Sequence, residues 1–333
     1  MTPQNLLVEL FVEELPPKSL KKLGESFAEL LSASLKAQGL AAGDAVSTAY
    51  ATPRRLAVHV TQVATRAVEK SFSHKLMPVT VGLGANGQPT PALLKKLASL
   101  GADVSVLPQL KRAVDGKTEA LFLDGVSPGV TLAEGLQKAL DETLEKLPIA
   151  KVMTYQLADG WSSVNFVRPA HGLVALHGAE IVAVSVLGLA AGRETRGHRF
   201  EASVTPLVLK DADSYARQLE TEGAVIAGFG QRRTEIERQL ATVAAREKLQ
   251  LIADDALLDE VTALVERPNV LLGKFESEFL QVPQECLILT MKANQKYFPL
   301  LDTSGKLTNK FLIVSNISPA DATAVIDGNE RVV

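Results

Sequence analysis

Apolar residues repeat along the chain with the two periods that distinguish strands from helices. Residues 6–13 are apolar and β-prone, and Pro16-Pro17 ends that strand because proline lacks a backbone donor and restricts the residue before it. In residues 19–38 the apolar positions recur at steps of three and four, which places them on one face of a helix. Residues 48–63 alternate apolar and polar side chains and predict two strands that bend at Pro53-Arg54-Arg55.

The same reasoning predicts the elements of the remaining chain. A helix begins after Thr131, where Glu134 three residues later completes a capping box, and Pro148 ends it. Residues 181–187 have the strongest strand signal because they are rich in β-branched side chains. The other predicted elements are a helix at 90–100, a hairpin at 107–123 turning at Asp115-Gly116, a strand and a helix within 207–223, a short strand at 224–227, helices at 230–248, 254–267 and 283–292, a strand at 270–272, and a hairpin of 296–301 with 310–317.

These elements predict an α+β protein of several modules, with mixed or antiparallel sheets and packed helices. A chain of 333 residues exceeds the size at which a single core stops growing. The predicted modules are a strand–helix–hairpin module at 1–68, an α+β insert at 69–150, a strand-rich module with basic motifs at 151–228, and a helical segment followed by an α+β module at 229–333. The ending at Val332-Val333, without a terminator or tail, indicates a fragment of a longer protein.

Composition restricts the compartment and the partners. The net charge of −3 excludes the general basicity of a histone-like DNA binder but permits a local basic face. The single cysteine, Cys286, excludes an intrachain disulfide and a cysteine-based zinc cage. The N-terminus lacks the features of a signal peptide, and no apolar run approaches the roughly 18 residues of a membrane span. We therefore expect a cytoplasmic protein that contacts neither membrane nor DNA.

Motifs of self-sufficient catalysis are absent from the sequence. The spacing of Gly82, Gly84 and Gly87 matches neither the dinucleotide fingerprint nor the P-loop, and these glycines predict a loop. The five histidines are scattered without an HExxH pair, and the sequence has no G-x-S-x-G nucleophile elbow. We therefore predict no catalytic residue, no metal and no cofactor in this chain.

Basic residues beside turns or aromatic side chains are the remaining chemical signal. Residues 166–200 hold three of the five histidines and four arginines, mostly at the two ends of an apolar middle. Arginine forks pair with phosphate and aromatic rings stack on unpaired bases, so this pattern is typical of an RNA-binding surface. The alternative is that the arginines pair with Glu9, Glu13, Glu14 or Glu194 and hold modules together. Spacing alone leaves both readings open.

Six short motifs give the chain a family resemblance. In chain order they are Glu13-Glu14-Leu15-Pro16-Pro17, Ala51-Thr52-Pro53-Arg54-Arg55-Leu56, Phe166-Val167-Arg168-Pro169, Thr195-Arg196-Gly197-His198-Arg199-Phe200, Thr290-Met291-Lys292 with Gln295-Lys296-Tyr297-Phe298, and Gly328-Asn329-Glu330-Arg331-Val332-Val333. With them the sequence closely resembles the β subunit of the bacterial heterotetrameric glycyl-tRNA synthetase.

The resemblance implies a role in an aminoacyl-tRNA synthetase whose chemistry lies elsewhere. It implies that the α subunit forms glycyl-adenylate from glycine and ATP with Mg²⁺, and that β binds tRNA(Gly) and completes an α2β2 assembly. It also implies that the family continues into an HD-like helical domain and an anticodon-binding domain. The residues that we predict to bind tRNA are Arg54, Arg55, Arg168, His171, Arg193, Arg196, His198, Arg199, Lys292, Gln295, Lys296 and Tyr297.

Two other functions remain as hypotheses. One is an assembly scaffold whose basic motifs are internal salt bridges without direct tRNA contact. The other is a hydrolase that edits mischarged tRNA, for which the sequence offers no acid–base pair. The observation that separates tRNA binding from scaffolding is whether the arginines lie exposed on one face or are buried against the glutamates.

Overall fold

The computed structural model describes residues 2–84, 86–115 and 118–332. The chain up to Thr65, together with the chain from Leu132 onward, forms one compact unit, and Arg66–Thr131 forms a second. The predicted module boundaries at residues 68, 150 and 228 stay predictions. In the part of the chain that is described, every helix is too short or too polar to cross a membrane.

Helices and antiparallel sheets make up both units, which confirms the predicted α+β fold. The strands are β1 Gln4–Val12, β2 Ser47–Thr52, β3 Arg55–Val63, β4 Lys70–Pro78, β5 Lys111–Asp115, β6 Thr118–Ser127, β7 Met153–Gln156, β8 Ser163–Phe166, β9 Ala170–His177, β10 Glu180–Ile181, β11 Ser185–Val186, β12 Leu189–Ala190, β13 Glu194–Thr195, β14 Leu207–Val208, β15 Gln250–Leu251, β16 Asn269–Lys274, β17 Phe298–Leu301 and β18 Leu307–Ser315. The helices are α1 Pro17–Ala37, α2 Val79–Gly82, α3 Pro91–Ser99, α4 Leu132–Lys146, α5 Tyr215–Thr221, α6 Phe229–Glu247, α7 Asp255–Thr262, α8 Gln284–Thr290 and α9 Thr323–Glu330. Short 3₁₀ turns cover Val104–Gln109 and Ser277–Gln281, and a π turn covers Met291–Gln295.

The main sheet of the larger unit has the order β10-β9-β1-β3-β2, with β1 between two antiparallel neighbours. Strand β1 is buried from Leu6 to Val12, so both of its faces are covered, which explains its nearly continuous apolar sequence. Alternate side chains of a strand share a face. Leu7 packs in a core cluster with Tyr215 of α5, and Glu9 therefore lies on that same face of β1.

Helix α1 packs against β2 and β3, and Gly24 permits its close approach to the sheet. A Cβ at this position would lie 2.5 Å from the Cβ of Ala51 on β2. We expect Gly24→Ala to lower the free energy of unfolding by about 1–2 kcal/mol, because overpacking outweighs the gain in helix propensity. Urea denaturation measures this change. The control is Gly230→Ala in α6, where a Cβ has open space and no loss is expected; equal effects of the two substitutions would contradict the packing argument.

The second sheet of the larger unit has the order β15-β17-β18-β16. The predicted hairpin of residues 296–301 with 310–317 is confirmed as β17 and β18, which pair antiparallel. Helices α6 and α7 supply Ile236, Leu240 and Leu258 to the core beside this sheet. The apolar residues of α6 that are buried form one narrow stripe, Ile236, Leu240 and Ala244.

The smaller unit contains the sheet β4-β6-β5 with α3 beside it, and Leu93 and Leu97 of α3 are buried in its core. Strands β5 and β6 confirm the predicted hairpin, although Gly116 of the predicted turn lies outside the described residues. Leu83 and Pro89 form an isolated bridge across the predicted glycine loop, in which Ala85 is likewise outside the described part.

Three sequence-based predictions are wrong in detail. Residues 181–187 do not form one strand, because pairing with β9 stops after Ile181 and resumes only at Ser185–Val186 with β12, to which positive φ angles at Leu187 and Gly188 turn the chain back. Residues 224–227 are not a strand, since the amide of Val225 caps α5 and that of Ile226 binds the carbonyl of Glu266. Helix α7 ends at Thr262 rather than near Arg267, and the turn after it directs Glu266 inward.

Candidate nucleic-acid interface

The arginines of the β2–β3 turn are inside the larger unit. Arg54 is nearly buried and Arg55 is fully buried. Nη1 of Arg55 lies 3.3 Å from Oε2 of Glu9, and its Nη2 lies 3.3 Å from Oε1 of Glu266. Nη2 of Arg54 lies 2.7 Å from Oε2 of Glu266. We name these four residues the buried arginine network. Two guanidiniums face two carboxylates in it, so the charges balance inside the protein.

Neighbouring polar groups complete the hydrogen bonds of this network. Arg55 Nε donates to Oγ1 of Thr52 at 3.1 Å, and Glu9 accepts hydrogen bonds from the hydroxyls of Thr195 and Tyr215. The Nη2 atoms that face Glu266 also reach the loop that follows β13. Arg55 Nη2 donates to the carbonyl of Arg196 and Arg54 Nη2 to that of Gly197, each at 2.8 Å. The network therefore fixes the backbone of the loop at Arg196–Gly197.

Charge pairing sets the ionisation of the network. Burial acts to lower the pKa of Arg55, but the carboxylates of Glu266 and Glu9 outweigh it and hold that pKa above its ordinary value. Burial acts to raise the pKa of Glu266, but Arg55 and Arg54 hold it below the ordinary value. Burial and the charge of Glu9 raise the pKa of the Tyr215 hydroxyl well above 10.0, so it stays a donor to Glu9 at neutral pH.

The lowered pKa of Glu266 predicts a loss of stability in acid. Because the folded pKa lies below the ordinary value of 4.5, the contribution of Glu266 is complete above pH 4.5 and is lost as the pH falls through the folded pKa. We expect the urea midpoint of the wild type to fall more steeply below pH 4.5 than that of Glu266→Gln, which is less stable at neutral pH. The control is Glu220→Gln, since Glu220 is exposed. Parallel acid profiles of wild type and Glu266→Gln would contradict the assignment.

An open pocket of about 400 Å³ lies on the surface above the network. Five of the predicted tRNA-binding residues line it: Arg54, His171, Arg196, His198 and Arg199. Arg196 and Arg199 are exposed, and the structure gives neither side chain an ion pair with any described residue. His171 is exposed and its Nε2 lies 3.0 Å from Oε1 of Glu13, which also lines the pocket. The pocket therefore carries two guanidiniums available to an anion.

His198 is buried beside this pocket rather than exposed. Its Nδ1 accepts from the backbone amides of Phe200 and Glu201 at 3.2 and 3.1 Å. Together with Arg54 and Arg55, it belongs to the structure that supports the loop after β13. The tRNA contact that we propose below therefore rests on Arg196 and Arg199. Arg54, Arg55 and His198 hold the loop that carries these two side chains.

The other predicted residues lie outside this pocket, and most of them contact groups within the protein. Arg168 donates to the carbonyls of Glu14 and Val167, and Arg193 donates to that of Ala179. Four further predicted residues lie at or beside the π turn after α8, and most of them pair with other residues of the chain. Lys292 pairs with Asp254, Lys296 Nζ lies 3.2 Å from Oε1 of Glu260, Tyr297 is buried with its hydroxyl donating to Asn329, and Gln295 is half-buried.

Comparison with known proteins identifies the family of this chain. The sequence model of the family described as glycyl-tRNA synthetase beta subunit matches residues 6–333. The chain belongs to this family. The resemblance predicted from six motifs is thereby confirmed.

The curated relatives that the chain matches are considerably longer than it is. The chain is 74% identical over 333 residues to the glycine–tRNA ligase beta subunit of Leptothrix cholodnii, covering all of this chain and 47% of that protein. It is 69% identical to the protein of the same name from Thiobacillus denitrificans, covering 48% of it, and 67% identical over 335 residues to that of Janthinobacterium sp., also covering 48%. The chain thus spans about half the length of the curated relatives it matches.

The prediction of site residues from the sequence omitted three residues that matter to this site and its support. Phe200 is 78% exposed beside Arg199, and its ring centroid lies 6.2 Å from that of His198. Glu266 joins the network from more than 200 positions away, and no local pattern announces it. Arg232 is fully buried and donates to the carbonyls of Thr262, Ile226 and Ala51. A signal for Arg232 existed, since it stands four residues before Ile236 on the apolar stripe of α6.

Proposed function

We propose that the chain serves in the ATP-dependent glycylation of tRNA(Gly) as part of the β subunit of glycine–tRNA ligase. It binds tRNA, while glycine and ATP react at a separate α subunit, with Mg²⁺ as cofactor, in an α2β2 assembly. The ligase role is supported by the relatives that are 67–74% identical, which are glycine–tRNA ligase beta subunits. The observation that supports tRNA contact is the pair of exposed arginines, Arg196 and Arg199, beside the exposed ring of Phe200.

This surface, formed by Arg196, Arg199 and Phe200, has the chemistry that single-stranded RNA needs. Guanidinium forks make charge-assisted hydrogen bonds to phosphate oxygens. An exposed aromatic ring stacks on an unpaired base without requiring a particular sequence. Tyr297, an aromatic residue among those predicted to bind tRNA, is buried, so the exposed ring of Phe200 takes the stacking role in the proposal. Because the buried arginine network holds the loop in place, the loop loses less conformational freedom when RNA binds.

A scaffold role for the buried residues has its own support. Arg54 and Arg55 pair internally with Glu9 and Glu266, as the alternative hypothesis expects of basic motifs in a scaffold. These residues join the β2–β3 turn, the loop after β13 and the turn after α7. In the proposal the two roles are divided: the network builds the fold, and the arginines outside it contact tRNA.

Binding of tRNA(Gly) by this chain, with and without the α subunit and at two salt concentrations, tests the proposed function. Contact through phosphates predicts binding that weakens steeply as salt rises. If the chain adds no tRNA affinity to the α subunit at low salt, the tRNA-binding proposal fails and the scaffold role remains.

A further inference from the structure

His198 lines the pocket beside Arg196, and one of its ring nitrogens has no hydrogen-bond partner in the described chain. His198 is only 2% exposed. Because its Nδ1 accepts from two backbone amides, the neutral ring carries its proton on Nε2. Nε2 is enclosed and has no hydrogen-bond partner among the described residues. Buried donors are nearly always paired, so this one favours an acceptor that is bound in the pocket.

Two guanidiniums line the same pocket. Arg196 and Arg199 come from the loop that the buried arginine network fixes, and His198 lies between them in the chain. The carboxylate of Glu13 also lines the pocket and has the opposite charge. It is one negative group against two guanidiniums, and it already lies 3.0 Å from Nε2 of His171. Arg54 also lines the pocket, and its charge is balanced by Glu266. The unpaired charge of the pocket is therefore positive, as an anion site requires.

We propose that this pocket binds one phosphate group, with Arg196 and Arg199 pairing with its oxygens and Nε2–H of His198 donating to one of them. The inference rests on the proposed function and names a phosphate subsite within it. The volume of about 400 Å³ exceeds that of a phosphate and leaves room for an attached nucleoside, and the exposed ring of Phe200, next to Arg199 in the chain, is available to its base. Nε2 is enclosed, so a phosphate reaches it only if a side chain at the rim of the pocket moves.

His198→Asn separates the two functions of the imidazole. The Oδ1 of asparagine takes the position of Nδ1 and accepts from the amides of Phe200 and Glu201, but the variant lacks the Nε2–H donor. The fold of the loop is therefore kept while the proposed donor is removed. His198→Gln does the opposite: its amide reaches the Nε2 position and the loop acceptor is lost. Melting temperatures of both variants show whether the loop is intact.

Protection of arginines from phenylglyoxal measures occupancy of the pocket in the intact protein. The modification rates of Arg196 and Arg199 are followed by peptide mass spectrometry with inorganic phosphate and, separately, with tRNA(Gly). Arg217 is the internal control because it is exposed elsewhere in the same unit. We expect both ligands to protect Arg196 and Arg199 but not Arg217. His198→Asn is expected to weaken protection by phosphate about tenfold, the effect of losing one hydrogen bond to an ion.

The outcomes separate the phosphate site from the proposed function. Protection by tRNA(Gly) and by phosphate, with both weakened in His198→Asn, supports the site and RNA as the source of its phosphate. Protection by inorganic phosphate alone supports the site with a free phosphate and contradicts tRNA contact here. If His198→Asn leaves phosphate protection unchanged, or if neither ligand protects the arginines, the inference is wrong, even where tRNA binds elsewhere on the chain.

Discussion

Replacing Arg55 by methionine is expected to lower the free energy of unfolding of the larger unit by about 3–5 kcal/mol, because buried Glu9 and Glu266 each lose a partner. Methionine has a similar length, so little of the loss comes from an empty cavity. The substitution also releases the carbonyl of Arg196 and the hydroxyl of Thr52 from their donor. Far-UV circular dichroism in urea measures the change. Tryptophan fluorescence suits it less well, since Trp161 is 91% exposed.

Arg196→Met is the matched control for this substitution. It removes the same group from a side chain that is exposed and carries no ion pair in the described structure, so the expected change lies within about 0.5 kcal/mol. Hydrogen exchange of peptides from β1 and β3 identifies which unit unfolds. If Arg55→Met unfolds at the urea concentration of the wild type, the network does not hold the fold. If both substitutions destabilise equally, burial is not the cause.

The elements that the sequence predicts best are those with a strong local period. Strand β1, helix α1 and the β2–β3 pair have apolar positions that only one regular structure places on one side, and all three are present as predicted. The capping box at Thr131 likewise marked the start of α4 at Leu132. The prediction of one strand at residues 181–187 was wrong, because β-branched composition favours a strand but does not exclude the turn at Leu187–Gly188.

The candidate site was only partly predictable because its key partnerships are long-range. Arg54 occupies a turn and Arg55 begins β3 directly after it. Turn residues are usually at the surface, yet the loop after β13 and Glu266 cover these two arginines. The sequence offered Glu9 as a partner, which is correct for Arg55, but it gave no sign of Glu266. The basic motif at 195–200 did indicate residues that line the pocket. Tertiary contacts then divided its members into buried His198 and exposed Arg196 and Arg199.

Reversing the charge of the two exposed arginines tests this division directly. In the proposal, Arg196→Glu/Arg199→Glu removes two charge-assisted contacts to phosphate and replaces them with repulsion. We expect the affinity for tRNA(Gly) to fall at least about a hundredfold at low salt, and the slope of log affinity against log salt to become shallower by roughly one for each arginine. Stability should change little, because both side chains lie outside the buried arginine network. Fluorescence anisotropy with labelled tRNA(Gly) at a series of salt concentrations measures both quantities.

A matched charge reversal distinguishes a site from general electrostatic attraction. Lys210→Glu/Arg217→Glu changes the net charge by the same amount at exposed positions of the same unit that lie outside the pocket. Long-range attraction would make the two double variants equally weak, whereas direct contact confines the large loss to Arg196 and Arg199. Wild-type affinity and salt dependence in Arg196→Glu/Arg199→Glu would remove the basis for tRNA contact on this surface. The scaffold role of the buried arginine network would still stand, because Arg55→Met tests it independently.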